Sequence, residues 1–297
     1  MTKRASALDR VLRQAGGPEI LDVLAKRLPG ADLTTLLLEV MRRRAGALAP
    51  ADVLRRYGQD RFAAPSPVPF RELRRAEDAA LSALPPDFEP VTLSPVAPLG
   101  TCSVLATVDQ NKVVSTVRNG EVAADPTNAL ALEAALRRRT AGDGAGGRAE
   151  PVRLAAVQRV VRAQHVEGAA RYAHFTLFAL VTAGRDTGGL AFERQHAAEH
   201  LAVLADAVRA CGAGEPELRV TVLDERFDAV ADGLGGTPDP DRQSGRGYYT
   251  GLCFKVYARG VEVGDGGFTG WTAGLLGDRK ERLLISALGL DRLAMPE

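Results

Sequence analysis

Residues 152–182 read VRLAAVQRVVRAQHVEGAARYAHFTLFALVT. Two runs in this stretch, 152–163 and 175–182, read as strands, and the rest of the chain arranges itself around them. Upstream, Asp125-Pro126-Thr127 opens a helix running to about Arg139, and a glycine-rich loop, 142–147, joins it to the first strand. Downstream comes a long helix, 192–211, then a strand at 217–223, a polar loop, a strand at 252–258 and an apolar stretch, Leu283–Leu293. Residues 101–123, rich in Val, Thr and Ser, read as strands with a turn at Asp109-Gln-Asn111. Phe88–Leu93 reads as a strand closing at Pro95. Before it, Phe70 to Leu84 has an amphipathic helical pattern, with Phe70, Leu73, Ala76, Ala80, Leu81 and Leu84 on or near one face and Pro85-Pro86 as the stop. Short strands interrupted by helices, without regular βαβ alternation, specify an α+β fold with an antiparallel β-sheet flanked by helices.

The first 65 residues form a different pattern, a helical appendage. Pro18 precedes EILDVLAKRL, and Pro29-Gly30 stops that segment. Asp32 is placed to cap the next helix, whose Leu33, Leu36, Leu37, Val40 and Met41 make one apolar stripe. Arg42, Arg43 and Arg44 then suit the negative end of the helix dipole before Gly46. Pro50 opens a further short helix through Tyr57. The prolines of Ala64-Pro-Ser-Pro-Val-Pro69 forbid a helix and read as a linker. The domains expected are therefore 1–65 and 66–297.

Composition excludes several classes. Of 297 residues, 45% are hydrophobic and 25% charged, ordinary values for a folded chain rather than a disordered one. No run approaches the roughly 18–20 apolar residues of a membrane helix, so no membrane partner is expected. MTKRASALDRVLRQ lacks the apolar core of a signal peptide, which makes the cytoplasm the expected location. Cys102, Cys211 and Cys253 form no CxxC pair and are expected as reduced thiols. The net charge of +1 conceals a split: residues 1–75 hold 15 Lys+Arg against 8 Asp+Glu, the remainder 23 against 29. The basic segment suits a polyanion such as RNA. The competing reading is compositional, since only 5 of the 38 basic residues are lysines, a bias that a GC-rich genome produces by itself.

Two motifs fail on context. Gly142-x-Gly144-x-x-Gly147 matches the dinucleotide fingerprint by letter, but it follows a helix and precedes a strand, the reverse of what phosphate binding needs. His196-Ala-Ala-Glu199-His200 matches an inverted zinc-protease pattern. Ala197, Leu201, Leu204 and Val208 form the packing stripe of that helix, placing the histidines at its flank, and no third ligand is nominated. No metal ligand set is assigned.

One ordered set of segments resembles the catalytic core of class II aminoacyl-tRNA synthetases, in particular the histidyl-tRNA synthetase branch and its paralogues. Helix 70–84 followed by Phe88-Glu-Pro-Val-Thr-Leu-Ser-Pro95 looks like the family's first motif, an interface element, which implies a homodimer. Arg162-Ala-Gln164 and Arg171-Tyr-Ala-His-Phe175 resemble the paired strands of the second. Ser286-Ala-Leu-Gly289-Leu-Asp-Arg292-Leu resembles the glycine-flanked third motif ending in arginine. Arg246-Gly-Tyr-Tyr-Thr-Gly251 is similar to the branch signature.

The resemblance implies ATP and Mg2+ as cofactors and a small-molecule carboxylate, such as an amino acid, as substrate. The implied chemistry is adenylation. Arg162 and Arg292 would be catalytic, on the α-phosphate and the terminal phosphate, and Phe175 would stack on adenine. Gln164 and Arg171 complete the implied ATP-binding set. Glu121, Asp125, Thr127, Arg246, Tyr248 and Tyr249 form the implied substrate-binding set, with Arg242 a reserve for Arg246. Asp125 is equally suited to capping the helix it precedes.

The chain also departs from the pattern. Gln164 stands in place of a glutamate, Arg246 lies two residues closer to the tyrosines, and Gly266-Gly-Phe-Thr-Gly-Trp271 replaces a segment beside the histidine pocket. The loop 224–244 is short for the family's inserted domain, and the chain ends five residues after Arg292, where a synthetase begins its anticodon-binding domain. The expectation is a ligase-type, adenylate-forming paralogue that does not charge tRNA conventionally, with RNA or a carrier protein as acceptor through the basic N-terminal region. The alternative is a non-catalytic regulatory or binding subunit on the same fold, like that of ATP phosphoribosyltransferase.

Overall fold

The structure is a computed structural model, described here over residues 6–142, 150–164 and 172–295. By internal contacts the chain divides into two compact units: Met1–Asp60 with Ser115–Gly120, and Arg61–Val114 with Glu121–Glu297.

The first unit holds the helices α1 (Ala7–Ala15), α2 (Glu19–Asp22), α3 (Gly30–Gly46) and α4 (Pro50–Tyr57). Ser6 and Asp9 start α1 with reciprocal bonds of 3.1 and 2.9 Å, and Gly16 ends it at φ 110°, a conformation glycine adopts without strain. Segment 19–27 is one α-turn followed by a π-helical turn, Val23–Arg27. Asp32 does not cap α3: the helix starts two residues earlier, behind Pro29, and Asp32 sits inside its first turn. Nor is the apolar stripe of α3 buried, for Leu36, Val40 and Met41 stay exposed. Arg42 and Arg43 both bond Glu39 at 2.7 Å.

The second unit is built on an eight-stranded sheet. Its strands are β1 (Glu89–Pro90), β4 (Val152–Val161), β5 (His174–Arg185), β6 (Glu217–Val222), β7 (Thr237–Pro238), β8 (Thr250–Ala258), β9 (Val261–Thr269) and β10 (Glu281–Gly289). In spatial order they run β1-β4-β5-β10-β9-β8-β6-β7, antiparallel except at the two edges. Short strands β2 (Val96–Pro98) and β3 (Gly120–Val122) lie outside it. Helices cover both faces, as the α+β pattern requires. On one face Phe178, Leu180, Leu284 and Leu288 pack with α5 (Phe70–Ser82) and α7 (Ala191–Ala210). On the other, Ala179, Val181, Leu283 and Ile285 pack with α6 (Pro126–Gly142) and α9 (Trp271–Leu276). Alternate residues of β5 and β10 thus point to opposite cores, which is why both strands are buried almost throughout. Two short helices, α8 (Asp228–Asp232) and α10 (Leu290–Leu293), complete the unit.

Further sequence expectations change in this unit. Residues 101–123 are mostly not strands: Thr101–Leu105 is a π-helical turn and Gln110–Lys112 a 3-10 turn. The cause is Glu121, whose carboxylate takes the N–H groups of Gly100 and Cys102 at 3.0 and 2.8 Å, giving that backbone a side-chain partner in place of a ladder. Phe88–Leu93 shrinks to the pair Glu89–Pro90, between prolines that lack a donor. On α5, Leu73, Ala76 and Ala80 are buried but Phe70 is 77% exposed. Strand β9 has no counterpart in the sequence reading. Its glycines allow close packing, since a Cβ on Gly264 would lie 2.3 Å from the Ala287 carbonyl oxygen.

His196 and His200 are also not at the flank of α7 but buried. His200 has Thr182 Oγ1 on Nε2 and Ser286 Oγ on Nδ1, both at 2.9 Å, so the two sheet strands hold both ring nitrogens. Burial pushes its pKa down to about 3, and that of His196 downward also. The native state then keeps His200 neutral while the unfolded chain takes up a proton near pH 6.5. Its contribution to stability is full above pH 6.5 and is lost as pH falls toward 3. Urea unfolding is expected to lose stability with a slope that approaches about 1.4 kcal/mol per pH unit from this residue as pH falls below about 5.5, and H200N to flatten that slope.

Candidate functional site

Arg162 continues directly from β4, its backbone N–H bonded to the Ala173 carbonyl at 2.8 Å. Its side chain turns back toward the start of α6. Nε donates to the Ala124 carbonyl at 3.0 Å and Nη2 to Asp125 Oδ2 at 3.1 Å, while the guanidinium lies 5.0 Å from the centre of the Phe175 ring. Asp125 uses its other oxygen differently. Oδ1 accepts from the Thr127 N–H at 2.9 Å and the Thr127 hydroxyl at 2.7 Å, capping α6. Capping and charge pairing, set against each other in the sequence, are both made by this one carboxylate.

Two compartments open on either side of this pair. The first, about 380 Å³, is lined by Tyr172, Phe175, Glu262, Asp291 and Arg292 among others. The second, about 630 Å³, includes Lys112, Asn128, Arg246, Tyr248 and Tyr249. Asp125, Arg162, Gln164 and Asp265 line both. Of the nucleotide set, Arg162, Gln164, Phe175 and Arg292 therefore meet in the first compartment, and Arg171 lies outside the described residues. Of the substrate set, Asp125, Arg246, Tyr248 and Tyr249 meet in the second.

Thr127 and Glu121 line neither compartment. Thr127 is buried with its hydroxyl on Asp125. Glu121 is fully buried, and Gln110 at 3.0 Å adds to its two backbone donors. Burial opposes its charge, yet these donors hold its pKa below the usual carboxylate range. It is an internal anchor, which corrects its reading as a receptor for a substrate ammonium.

The arginines near the tyrosines are likewise anchored. Arg246 bonds the carbonyls of Arg242 and Pro240 at 2.7 and 2.9 Å. Arg242 is buried, holding the carbonyls of Ser244 and Phe254 and Asp265 Oδ2. Arg292 donates to the Glu262 carbonyl. Tyr248 stands edge-on to Tyr249 and Trp271, 4.7 and 5.4 Å between ring centres, and burial pushes both phenols well above their usual range, so they stay neutral.

Asp265 is the residue the sequence reading missed. Burial in the cleft pushes its pKa up, Arg242 opposes this, and the nearby Asp125 and Glu262 carboxylates add to the rise. The signal for it was slight: an aspartate between the glycines of Gly264-Asp-Gly266, on a strand left unassigned. Asn128 was missed too. Its Nδ2 reaches Cys102 Sγ at 3.3 Å, and its Oδ1 has no hydrogen-bond partner. Burial and the neighbouring Glu121 push the Cys102 thiol up to about 12, so it remains protonated. Among the described residues no group of three or more His, Cys, Asp or Glu is arranged to hold a metal ion, and no helix is long and apolar enough to cross a membrane.

The architecture is that of a class II aminoacyl-tRNA synthetase-like core, and similar solved structures lie in the histidyl branch. An ATP phosphoribosyltransferase regulatory subunit/histidyl-tRNA synthetase from Bacillus halodurans superposes with a TM-score of 0.60 at 14% identity, over 78% of this chain and 81% of that one. Histidyl-tRNA synthetase from S. aureus gives 0.53 at 16% identity, over 75% and 64%. Pyrrolysyl-tRNA synthetase from Desulfitobacterium hafniense gives 0.52 at 16%, over 75% and 68%. At these identities the likeness establishes the fold. No protein-family model and no curated relative matches the chain.

The double use of Asp125 is separable by substitution. D125N keeps the cap acceptor and is expected to change the unfolding free energy by no more than about 0.5 kcal/mol, whereas D125A is expected to lose about 1 kcal/mol. Paired urea titrations measure the difference.

Proposed function

We propose that the second unit activates a carboxylate with ATP, forming an acyl-adenylate, and serves an acceptor other than conventional tRNA charging. The observation that carries this reading is the placement of the Asp125–Arg162 pair in the wall shared by two compartments. The first compartment, with Phe175 and Arg292, suits the nucleotide. The second, with Asp125 and the neutral phenols of Tyr248 and Tyr249, suits the acid.

A substrate carboxylate is already ionised at neutral pH, so no general base is needed. One of its oxygens attacks the α-phosphorus; the bond from that phosphorus to the bridging oxygen breaks, and pyrophosphate leaves with the electron pair. The site's task is to hold two anions together and stabilise charge on the phosphoryl oxygens. Arg162 does this at the α-phosphate with a planar fork that stays charged. Before binding, Asp125 and Arg162 neutralise each other. A substrate ammonium on Asp125 and a phosphate on Arg162 replace that pair, so each ligand frees the partner of the other. Arg292 takes the terminal phosphate, Phe175 stacks on adenine, and Gln164 borders the nucleotide. Arg246 borders the acid. Magnesium neutralises phosphate charge when bound. Held mainly by phosphates it would need only one or two protein carboxylates, and Glu262 and Asp265 on the compartment wall, now paired with Lys255 and Arg242, would be the ones to supply them.

Gln164, in place of a glutamate, supports an acceptor outside ordinary charging. The basic residues of the first unit are the surface where we would seek an RNA or carrier-protein acceptor. We further propose a homodimer through α5 and the segment after it, where Phe70, Val96 and Leu99 are exposed; light scattering at micromolar concentration is expected to give twice the chain mass. A second reading, a non-catalytic binding or regulatory subunit, is favoured by one observation: Arg162, Arg246 and Arg292 are all bonded to protein groups.

Titration with ATP and Mg2+, followed by amino-acid-dependent exchange of pyrophosphate into ATP, separates the two. The adenylation reading expects nucleotide binding, exchange with at least one acid, and a loss of about 100-fold or more in exchange rate for R162A. No nucleotide binding, together with a co-purifying enzyme, favours the subunit.

A further inference from the structure

Residues 61–69, the start of the second unit, form neither helix nor strand, yet they are fastened along their length to the rest of it. Arg61 Nη2 donates to the Ala163 carbonyl at 2.5 Å and Nη1 to the Gln164 carbonyl at 3.4 Å. The Ala64 carbonyl accepts from His174 Nε2 at 2.6 Å, while Nδ1 of the same ring accepts from Arg159 Nε at 2.8 Å. Ser66 Oγ donates to Asp291 Oδ1 at 3.3 Å, and Asp291 Oδ2 takes the Thr176 N–H at 2.5 Å. Val68 is buried in the core under α5 and α7.

The sequence explains the shape. Residues 64, 66 and 68 turn inward while Pro65, Pro67 and Pro69 stay exposed, along a path that turns over 61–63 and bends at 64 and again at 67–68. Three prolines in five residues restrict the undocked segment in advance and so reduce the entropy lost on docking. Each anchor point falls on or beside a wall residue of the first compartment: Gln164 itself, His174 next to Phe175, and Asp291 next to Arg292.

We propose that residues 61–68 are a positioning strap for this compartment. They clamp the exit of β4 and the entry of β5 against Asp291, so that Arg162, Phe175 and Arg292 keep their spacing before any ligand arrives. Arg61 is the positioning residue at its head. It acts through the carbonyls of Ala163 and Gln164, one on each Nη, in a fixed fork geometry that a lysine's single flexible ammonium does not reproduce. The fastening stands on its own geometry, while its effect on ATP rests on the nucleotide reading proposed above.

Hydrogen exchange by mass spectrometry on the unliganded full chain tests the strap, alongside ATP and Mg2+ titration. R61A is expected to speed exchange of the Arg162–Gln164 amides about tenfold and to weaken ATP binding by a similar factor, with melting shifted by about 1 °C or less. R61K should fall between, and R226A, which removes an exposed arginine paired to Asp224, should match the wild type. Unchanged exchange in R61A overturns the strap whether or not ATP binds. Faster exchange spread over all of β4 and β5 with a lowered melting point also overturns it, in favour of general destabilisation. Local acceleration in a protein that binds no ATP upholds the strap and overturns the nucleotide reading. Local acceleration with unchanged ATP affinity overturns its role in the site.

Discussion

The contact between Asp125 and Arg162 is the constraint on which the site depends. A carboxylate at a helix N-terminus meets the positive end of the helix dipole and two donors from Thr127, so its position is set by α6 itself. Its remaining oxygen then fixes a guanidinium that would otherwise sweep a wide arc at a strand end. Because α6 packs on one face of the sheet and β4 lies within that sheet, a single ion pair ties helix and strand together at the junction of two cavities. At half-exposure such a pair contributes little to stability. Its effect is placement: two charges of opposite sign are held in the wall shared by the two compartments.

Around that pair several buried polar groups are closed off by partners, although Gln158 Oε1, Glu193 Oε2, Thr269 Oγ1 and Thr272 Oγ1 have none. Glu121 is closed off by Gly100, Cys102 and Gln110, and its charge shapes the turn 101–105 that borders the larger compartment. Arg138 and Glu281, both about 95% buried, pair at 2.8 Å beneath α6. An ion pair at that depth adds little net stability but is costly to break, so it fixes register more than it strengthens the fold. Asn128 Oδ1 is an exception, an acceptor without a partner beside the larger compartment. Buried acceptors normally find a donor.

The first unit is organised by other means. None of its four α-helices buries a residue, and they are held by caps and local ion pairs such as Lys26–Asp22 and Arg55–Asp52. Exposed pairs of this kind contribute a few tenths of a kcal/mol each. The amphipathic pattern of α3 therefore marks a helix without marking a core.

The sequence by itself determined the order of most elements, and it singled out four residues, Arg162, Gln164, Phe175 and Arg292, that line the first compartment. Helix caps, prolines and apolar runs are local signals, so α6, α7, β4, β5 and β8 were readable from their own residues, and the ordered segments around Arg162, Phe175 and Arg292 pointed to one fold. Tertiary structure decided what depends on distant partners. Glu121 looked like a free carboxylate until segment 100–105 closed over it. His200 looked like a flank residue until two sheet strands supplied hydroxyls, and His196 until Glu199 and Phe192 met its ring. Strand β9 was hidden because its glycines serve packing against β10, a demand visible only once the strands are paired. Asp265 belongs to the site for the same reason: nothing in its immediate sequence distinguishes it, and only the folding of β9 beside Arg242 brings it to the shared wall. Spacing along the chain fixes which residues can share a local element, whereas burial and charge partnership arise between residues 20 to 200 positions apart.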